Sequence, residues 1–187
     1  MGTARRRHRI RSEVWNDGLV SEATPDHVPA AHERLTVGWR EWVHLPILCA
    51  DEPIKAKVDT GARTSAIHAW NVEEIDVDGV TRVRFGLHPR QRDDAYVITA
   101  EADLVEWRDI RSSNGDDERR PVIMTELALG GISYPIELTL TDRDRMGFRM
   151  LLGRTAMADR LVVDPGGSHL LGPRPTVGAD ARHGDGR

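Results

Sequence analysis

Asp59 is the side chain best placed by its neighbours to do chemistry. The β-rich run Ala56-Lys57-Val58 leads into Asp59-Thr60-Gly61, and the small residues Ala62, Thr64, Ser65 and Ala66 follow, interrupted by Arg63. A carboxylate at a strand end followed by Thr and Gly sits on a tight turn. The Gly permits close backbone approach or a positive φ, and the Thr hydroxyl can bond across to a neighbouring chain. Such a turn holds a carboxylate firmly while exposing it in a cleft, the arrangement needed for acid-base work on a bound water. The same tripeptide also occurs as a plain β-turn, so its neighbours carry weight. Lys57 stands two residues before Asp59, and on an extended strand both side chains share a face. A nearby ammonium favours the charged carboxylate and lowers its pKa.

The elements that must position these residues read mostly as β. Ile54 to Val58, Val80 to Phe85, Tyr96 to Ala100 and Ile136 to Leu140 alternate apolar and polar residues or are rich in β-branched ones. Asp78-Gly79, Asn114-Gly115 and Gly130-Gly131 supply turns between them. One short helix is expected near the C-terminus, at Thr155 to Asp159 after Gly153. No repeat, heptad pattern or βαβ alternation is present, so the class is a mostly antiparallel β barrel or sandwich.

The 187 residues suit one domain of ordinary size and are too few for a two-lobed enzyme carrying both halves of a site. Residues 1–34 carry Arg5, Arg6, Arg7, Arg9 and Arg11 without periodicity and read as a disordered basic arm; no apolar stretch follows to make a secretory signal. Residues 35–172 form the domain, and 173–187 read as a disordered tail. The domain holds 17 basic and 23 acidic side chains, a balance unsuited to a broad nucleic-acid surface. No apolar run reaches the ~18 residues of a membrane span. Cys49 is the single cysteine, which excludes an intrachain disulfide and a cysteine-rich zinc site and fits a cytoplasmic location. The 26 basic residues comprise 24 arginines and only two lysines, Lys55 and Lys57.

Met150-Leu151-Leu152-Gly153-Arg154, with Gly153 92 residues after Gly61, adds a second signature. Together with Asp59-Thr60-Gly61-Ala62, Ser65 and Ile67, it makes the sequence resemble the retropepsin-like aspartic proteases. A closer resemblance runs from about Val37 to Gly172. Its blocks are Gly38 to Val43, Ile54 to Ala62, His88-Pro89, Arg111 to Gly115, Arg120 to Ile123, Glu137 to Leu140 and Met150 to Met157. These are similar to the bacterial family labelled ATP-dependent zinc proteases, which is associated with a ligase that adds glutamates to a ribosomal protein. The label is not matched by the residues: there is no phosphate loop ending in Gly-Lys-Ser/Thr and no His-Glu-x-x-His pair. His68 and His88 are the candidate ligands if a metal-dependent reading were to hold; otherwise no metal and no cofactor is expected.

The resemblance implies a single-lobe retropepsin-like closed barrel with catalytic residues Asp59, Thr60 and Gly61. Aspartic proteolysis needs two carboxylates about 3 Å apart sharing a proton. This chain has one Asp-Thr-Gly, so a homodimer is expected to bring Asp59 against its symmetry mate. Substrate-binding candidates are Lys57, Ala62, Arg63, Ser112 and Asn114, the last two at the tip of a hairpin that could cover the cleft; Pro89 to Tyr96 is the alternative cover. Arg63 stands where viral members commonly carry the acid that pairs with the Gly-Arg arginine, so Arg154 needs a different partner. Arg63 either pairs locally with Asp142 or Asp144, or faces the cleft as a cation. Cations there suit an acidic, glutamate-rich peptide or tail, which the ligase association also implies. The alternatives are a non-catalytic module that binds such a tail or a partner ligase, and a zinc-dependent peptidase as the label states.

Overall fold

The alternation along Ile54 to Val58 buries Ile54, Ala56 and Val58 and leaves Lys57 exposed, and that strand anchors the centre of the molecule. A computed structural model describes residues 34–50, 52–91, 93–111, 117–143 and 147–175. Its strands are β1 (Leu35–Gly38), β2 (Arg40–Val43), β3 (Ile54–Val58), β4 (Ser65–Val77), β5 (Val80–Leu87), β6 (Ile98–Arg111), β7 (Asp117–Leu129), β8 (Ile132–Thr141), β9 (Met150–Leu152) and β10 (Leu161–Asp164).

The main sheet runs β2-β3-β9-β4-β5-β6-β7-β8, and β4 also pairs with β8, so β4 to β8 close into a ring. The ring closes because β4 is long enough to serve two neighbours. Its first residues, Ser65 to His68, lie parallel to Leu138 to Thr141 of β8, and beyond a bulge at Trp70/Glu73 it continues antiparallel to β5. The expected mostly-β barrel of the retropepsin type is what forms. β1 and β10 make a separate two-stranded parallel sheet. Phe85, Leu87, Ile123, Leu138, Met150 and Leu152 are among the fully buried side chains of one continuous core.

Asp78 and Gly79 both take positive φ between β4 and β5, as do Gly130 and Gly131 between β7 and β8; these two of the three expected turns stand, and Asn114-Gly115 lies outside the described residues. β6 starts at Ile98, later than the expected Tyr96, because residues up to Val97 belong to a segment drawn aside by contacts of its own. Among the described residues two helices form where one was expected. The C-terminal one, α2 (Arg154–Met157), ends before Asp159 because Ala158 is already extended and Asp159 is left-handed. The other, α1 (Pro46–Cys49), starts on a proline, whose missing N–H costs nothing at a helix start. It seals Leu48 and Cys49 into the core. Burial, and secondarily the Glu52 charge, push the Cys49 thiol up to about 12, so it stays protonated.

Buried Glu41 ties the edges together. Its carboxylate accepts the N–H groups of Gly38, Leu170 and Leu171, joining β1 and β2 to the segment after β10. Among the described residues no helix is long and apolar enough to cross a membrane.

Candidate functional site

β9 threads between β3 and β4 and builds the Asp59 loop from outside it. β3 pairs parallel with β9 through Ala56↔Met150, Lys57↔Leu151 and Val58↔Leu152, while Ala66 and Ile67 of β4 hold the other edge of β9. The Asp59 N–H then donates to the Leu152 carbonyl at 2.9 Å. Past the end of β9 the chain keeps contact with the loop: the Arg154 and Thr155 N–H groups donate to the Ala62 and Arg63 carbonyls at 2.9 and 3.0 Å. Gly153 makes this approach possible. A Cβ there would stand 2.5 Å from the Thr64 carbonyl carbon, and its N–H donates to the Ser65 Oγ at 3.1 Å.

Arg154 resolves its missing acidic partner by turning to the backbone. One terminal nitrogen donates to the Thr60 and Gly61 carbonyls at 2.8 and 2.9 Å, pinning the loop from its outer side. The small hydroxyl expected at Ser65 is fully buried and also fixed from β8, where the Thr139 hydroxyl donates to the Ser65 carbonyl.

Within this frame the Asp59 carboxylate is held at both oxygens. Oδ1 accepts the N–H groups of Gly61 and Ala62 at 3.0 and 3.2 Å, and Oδ2 accepts Lys57 Nζ at 3.1 Å. Gly61 serves by closeness and not by positive φ: a Cβ there would meet Oδ1 at 3.1 Å. Partial burial works to raise the Asp59 pKa, but the Lys57 ammonium and the two backbone donors outweigh it, and the carboxyl sits below its ordinary value. Lys57 and Asp59 thus share a face as the two-residue spacing requires. Thr60, Gly61 and Arg63 are exposed, and Ala62 is half-buried.

Of the two acids expected beside Arg63, Asp142 stands 3.5 Å from the His68 Nδ1, and Asp144 lies outside the described residues. The Arg63 charge is felt at Glu137. That carboxyl is lowered mainly by its hydrogen bond from Arg108, against the opposing effect of burial, with Arg63 adding a smaller share. Ser112 and Asn114 lie outside the described residues. Their hairpin stems are β6 and β7, paired as far as Arg111↔Asp117. The alternative cover, Pro89 to Tyr96, is tied down. Arg90 reaches buried Glu52 at 3.0 and 3.2 Å and stacks over the Tyr96 ring, and Gln91 donates to the Gly147 carbonyl.

His68 and His88 do meet, as stacked rings 5.8 Å apart, and Trp70 also stacks on His88. The His68 Nδ1 accepts the Arg143 N–H at 2.9 Å. Sequence reasoning passed over Arg143 altogether. Its side chain is only 9% exposed, and nothing in its neighbours marks it out among 24 arginines.

The profile of a family described as retropepsin-like aspartic endopeptidase RimB matches residues 36–173. A protein of Parasynechococcus marenigrum named probable alpha-L-glutamate ligase is 49% identical over 139 residues, 74% of this chain and 30% of that one. Its namesake in Shewanella pealeana is 43% identical over 151 residues, 81% of this chain and 33% of the relative. The chain therefore spans about a third of the length of these relatives. The crystal structure of a Legionella pneumophila protein of unknown function superposes with a TM-score of 0.62 at 29% identity, covering 74% of this chain and 99% of that one. With the Asp-Thr-Gly loop and the threaded Gly-Arg strand both in place, this chain belongs to the RimB-like family of retropepsin-like aspartic endopeptidases.

Proposed function

We propose that the chain is an aspartic peptidase that works as a two-fold homodimer on acidic, glutamate-rich peptides or tails. The observation that carries the reading is the Asp59 carboxylate, fixed by two backbone N–H groups on an exposed loop that is itself clamped by β9 and Arg154. A loop this rigid, with Thr60 and Gly61 outermost, suits a symmetric contact that sets two carboxylates side by side. In that pair one carboxylate removes a proton from water. The other, protonated, polarises the scissile carbonyl and later returns a proton to the leaving amine. Placing two carboxylates together raises one pKa, which offsets the lowering by Lys57 and makes proton sharing possible nearer neutral pH.

Lys57 and Arg63 bring cations to the rim of this loop, Ala62 lines it, and the β6–β7 hairpin with Ser112 and Asn114 at its tip supplies the cover. The acidic substrate is supported by those cations. It is also supported by relatives in which a matching segment forms part of a longer chain named as a glutamate ligase. The Lys57–Asp59 ion pair favours a second reading, a module that binds an acidic tail or a ligase without cutting it.

One experiment separates the two: wild type and Asp59→Asn incubated with a poly-glutamate peptide and read by mass spectrometry over a dilution series. Wild type is expected to release products, with specific activity falling on dilution, and Asp59→Asn to bind the peptide without cleaving it. Cleavage by Asp59→Asn, or full activity of a proven monomer, rules out the peptidase mechanism; a wild type that binds without cutting selects the second reading.

A further inference from the structure

On the face formed by β6, β7 and β8 two arginines are answered by that face's own acids. Arg108 and Arg120 stand directly opposite one another across β6 and β7. Arg108 is held by Glu106 and Glu137, and Arg120 by Glu118 at 2.7 Å. Glu118 also accepts the Thr141 hydroxyl at 3.0 Å. Each of these carboxylates is therefore already engaged.

Arg143, two residues beyond the end of β8, is left over. Its backbone is fixed by the bond to His68, its side chain is 9% exposed, and its Nε is sealed from solvent with no acceptor. It makes no ion pair among the described residues. Burial lowers its pKa first, the Arg120 charge adds to the lowering, and the Asp59 carboxylate opposes both. Arg120 and Asp59 are thus the charges that bear on this guanidinium.

A buried guanidinium nitrogen with no acceptor, and with a second cation nearby, carries a desolvation cost that folding does not repay. Groups held at such a cost are characteristic of binding sites, where a ligand supplies the missing partner. A carboxylate is the partner that a guanidinium fork matches, through two parallel hydrogen bonds. We propose that Arg143 is a specificity-determining residue: it receives the carboxylate of an acidic side chain of the peptide bound at Asp59. The inference rests on the proposed function for the location of the peptide but not on its being cleaved. Arg63, at the exposed rim, contributes long-range attraction, whereas Arg143 makes the desolvated contact that distinguishes glutamate from glutamine.

The test measures binding in an Asp59→Asn background, so that cleavage plays no part. Fluorescence anisotropy is read for a labelled poly-glutamate peptide and its poly-glutamine counterpart, alongside thermal melting. Arg143→Met should weaken the acidic peptide by ~10-fold or more, the value of a charge-assisted hydrogen bond. The glutamine peptide should change far less, and Arg143→Lys should recover part of the loss. Melting should rise or hold in Arg143→Met, because an unanswered buried charge has been removed. Equal weakening of both peptides, or unchanged binding with a lowered melting temperature, makes Arg143 a structural residue and overturns the proposal. Absence of acidic-peptide binding in the Asp59→Asn protein overturns it as well. Binding of the acidic peptide by a wild type that never cuts it defeats the peptidase reading and leaves Arg143 in its assigned role.

Discussion

At Asp59 the charge state is decided by a residue two positions away. Lys57 donates to Oδ2 while the backbone holds Oδ1, so removing the ammonium leaves geometry largely intact and alters protonation. Lys57→Met is therefore expected to raise the Asp59 pKa. For the proposed peptidase, the acid limb of a pH profile of kcat/KM should move to higher pH, and a limb that stays in place would show that Lys57 does not tune the site. That the two share a face was legible in the sequence because period-two alternation is a strong geometric rule; that the ammonium reaches the carboxylate was not. The partner of Arg154 was not legible: it binds the carbonyls of Thr60 and Gly61, and a backbone acceptor leaves no mark on side-chain identity. Arg143 was hidden for a related reason, since its burial comes from how β8 ends and not from any local pattern.

Among the elements, β3 appeared with the bounds its alternation implied, Ile54–Val58, and the turns at Asp78-Gly79 and Gly130-Gly131 fell where expected. β4 was harder to read. Its outer half, Asn71 to Val77, is largely polar and pairs with β5 mostly in the open, so no buried face imposes alternation. α1 carried a signal in Pro46, but its four residues are too short for helical periodicity. The tightest joint between elements is at Gly153, where strand gives way to helix against the Thr64 backbone. Gly153→Ala places a Cβ within 2.9 Å of three backbone atoms of Arg63 and Thr64. Overpacking of this kind costs about 1–3 kcal/mol. The loss should appear in urea unfolding together with a fall in activity, because the joint holds both ends of the Asp59 loop. A variant as stable as wild type would mean that the joint yields easily.

For the whole molecule, acid is the condition that the charge layout opposes least. The Glu52 carboxyl is lowered chiefly by its hydrogen bond from Arg90, in spite of burial; Glu137 and Asp59 are lowered as well. Carboxylates depressed in the folded state stabilise it fully above their unfolded pKa values of about 4, and that stability is lost as pH falls through the folded values. Urea midpoints should hold from neutral pH down to about 5 and then drop. Glu52→Gln should lower the neutral midpoint and flatten the drop. An unchanged slope would remove Glu52 from the account.

The threading of β9 between β3 and β4 also bears on when the molecule becomes chemically competent. Arg154 lies 94 positions from Thr60 and 93 from Gly61, so the clamp on the aspartate loop comes from the far end of the domain. Chains emerge from the ribosome N-terminus first. Asp59 is therefore made long before the strand that fixes it, and a nascent or truncated chain ending before Met150 carries the carboxylate without its frame. The order of synthesis thus acts as a built-in delay, withholding a rigid acid site until almost the entire domain has been translated.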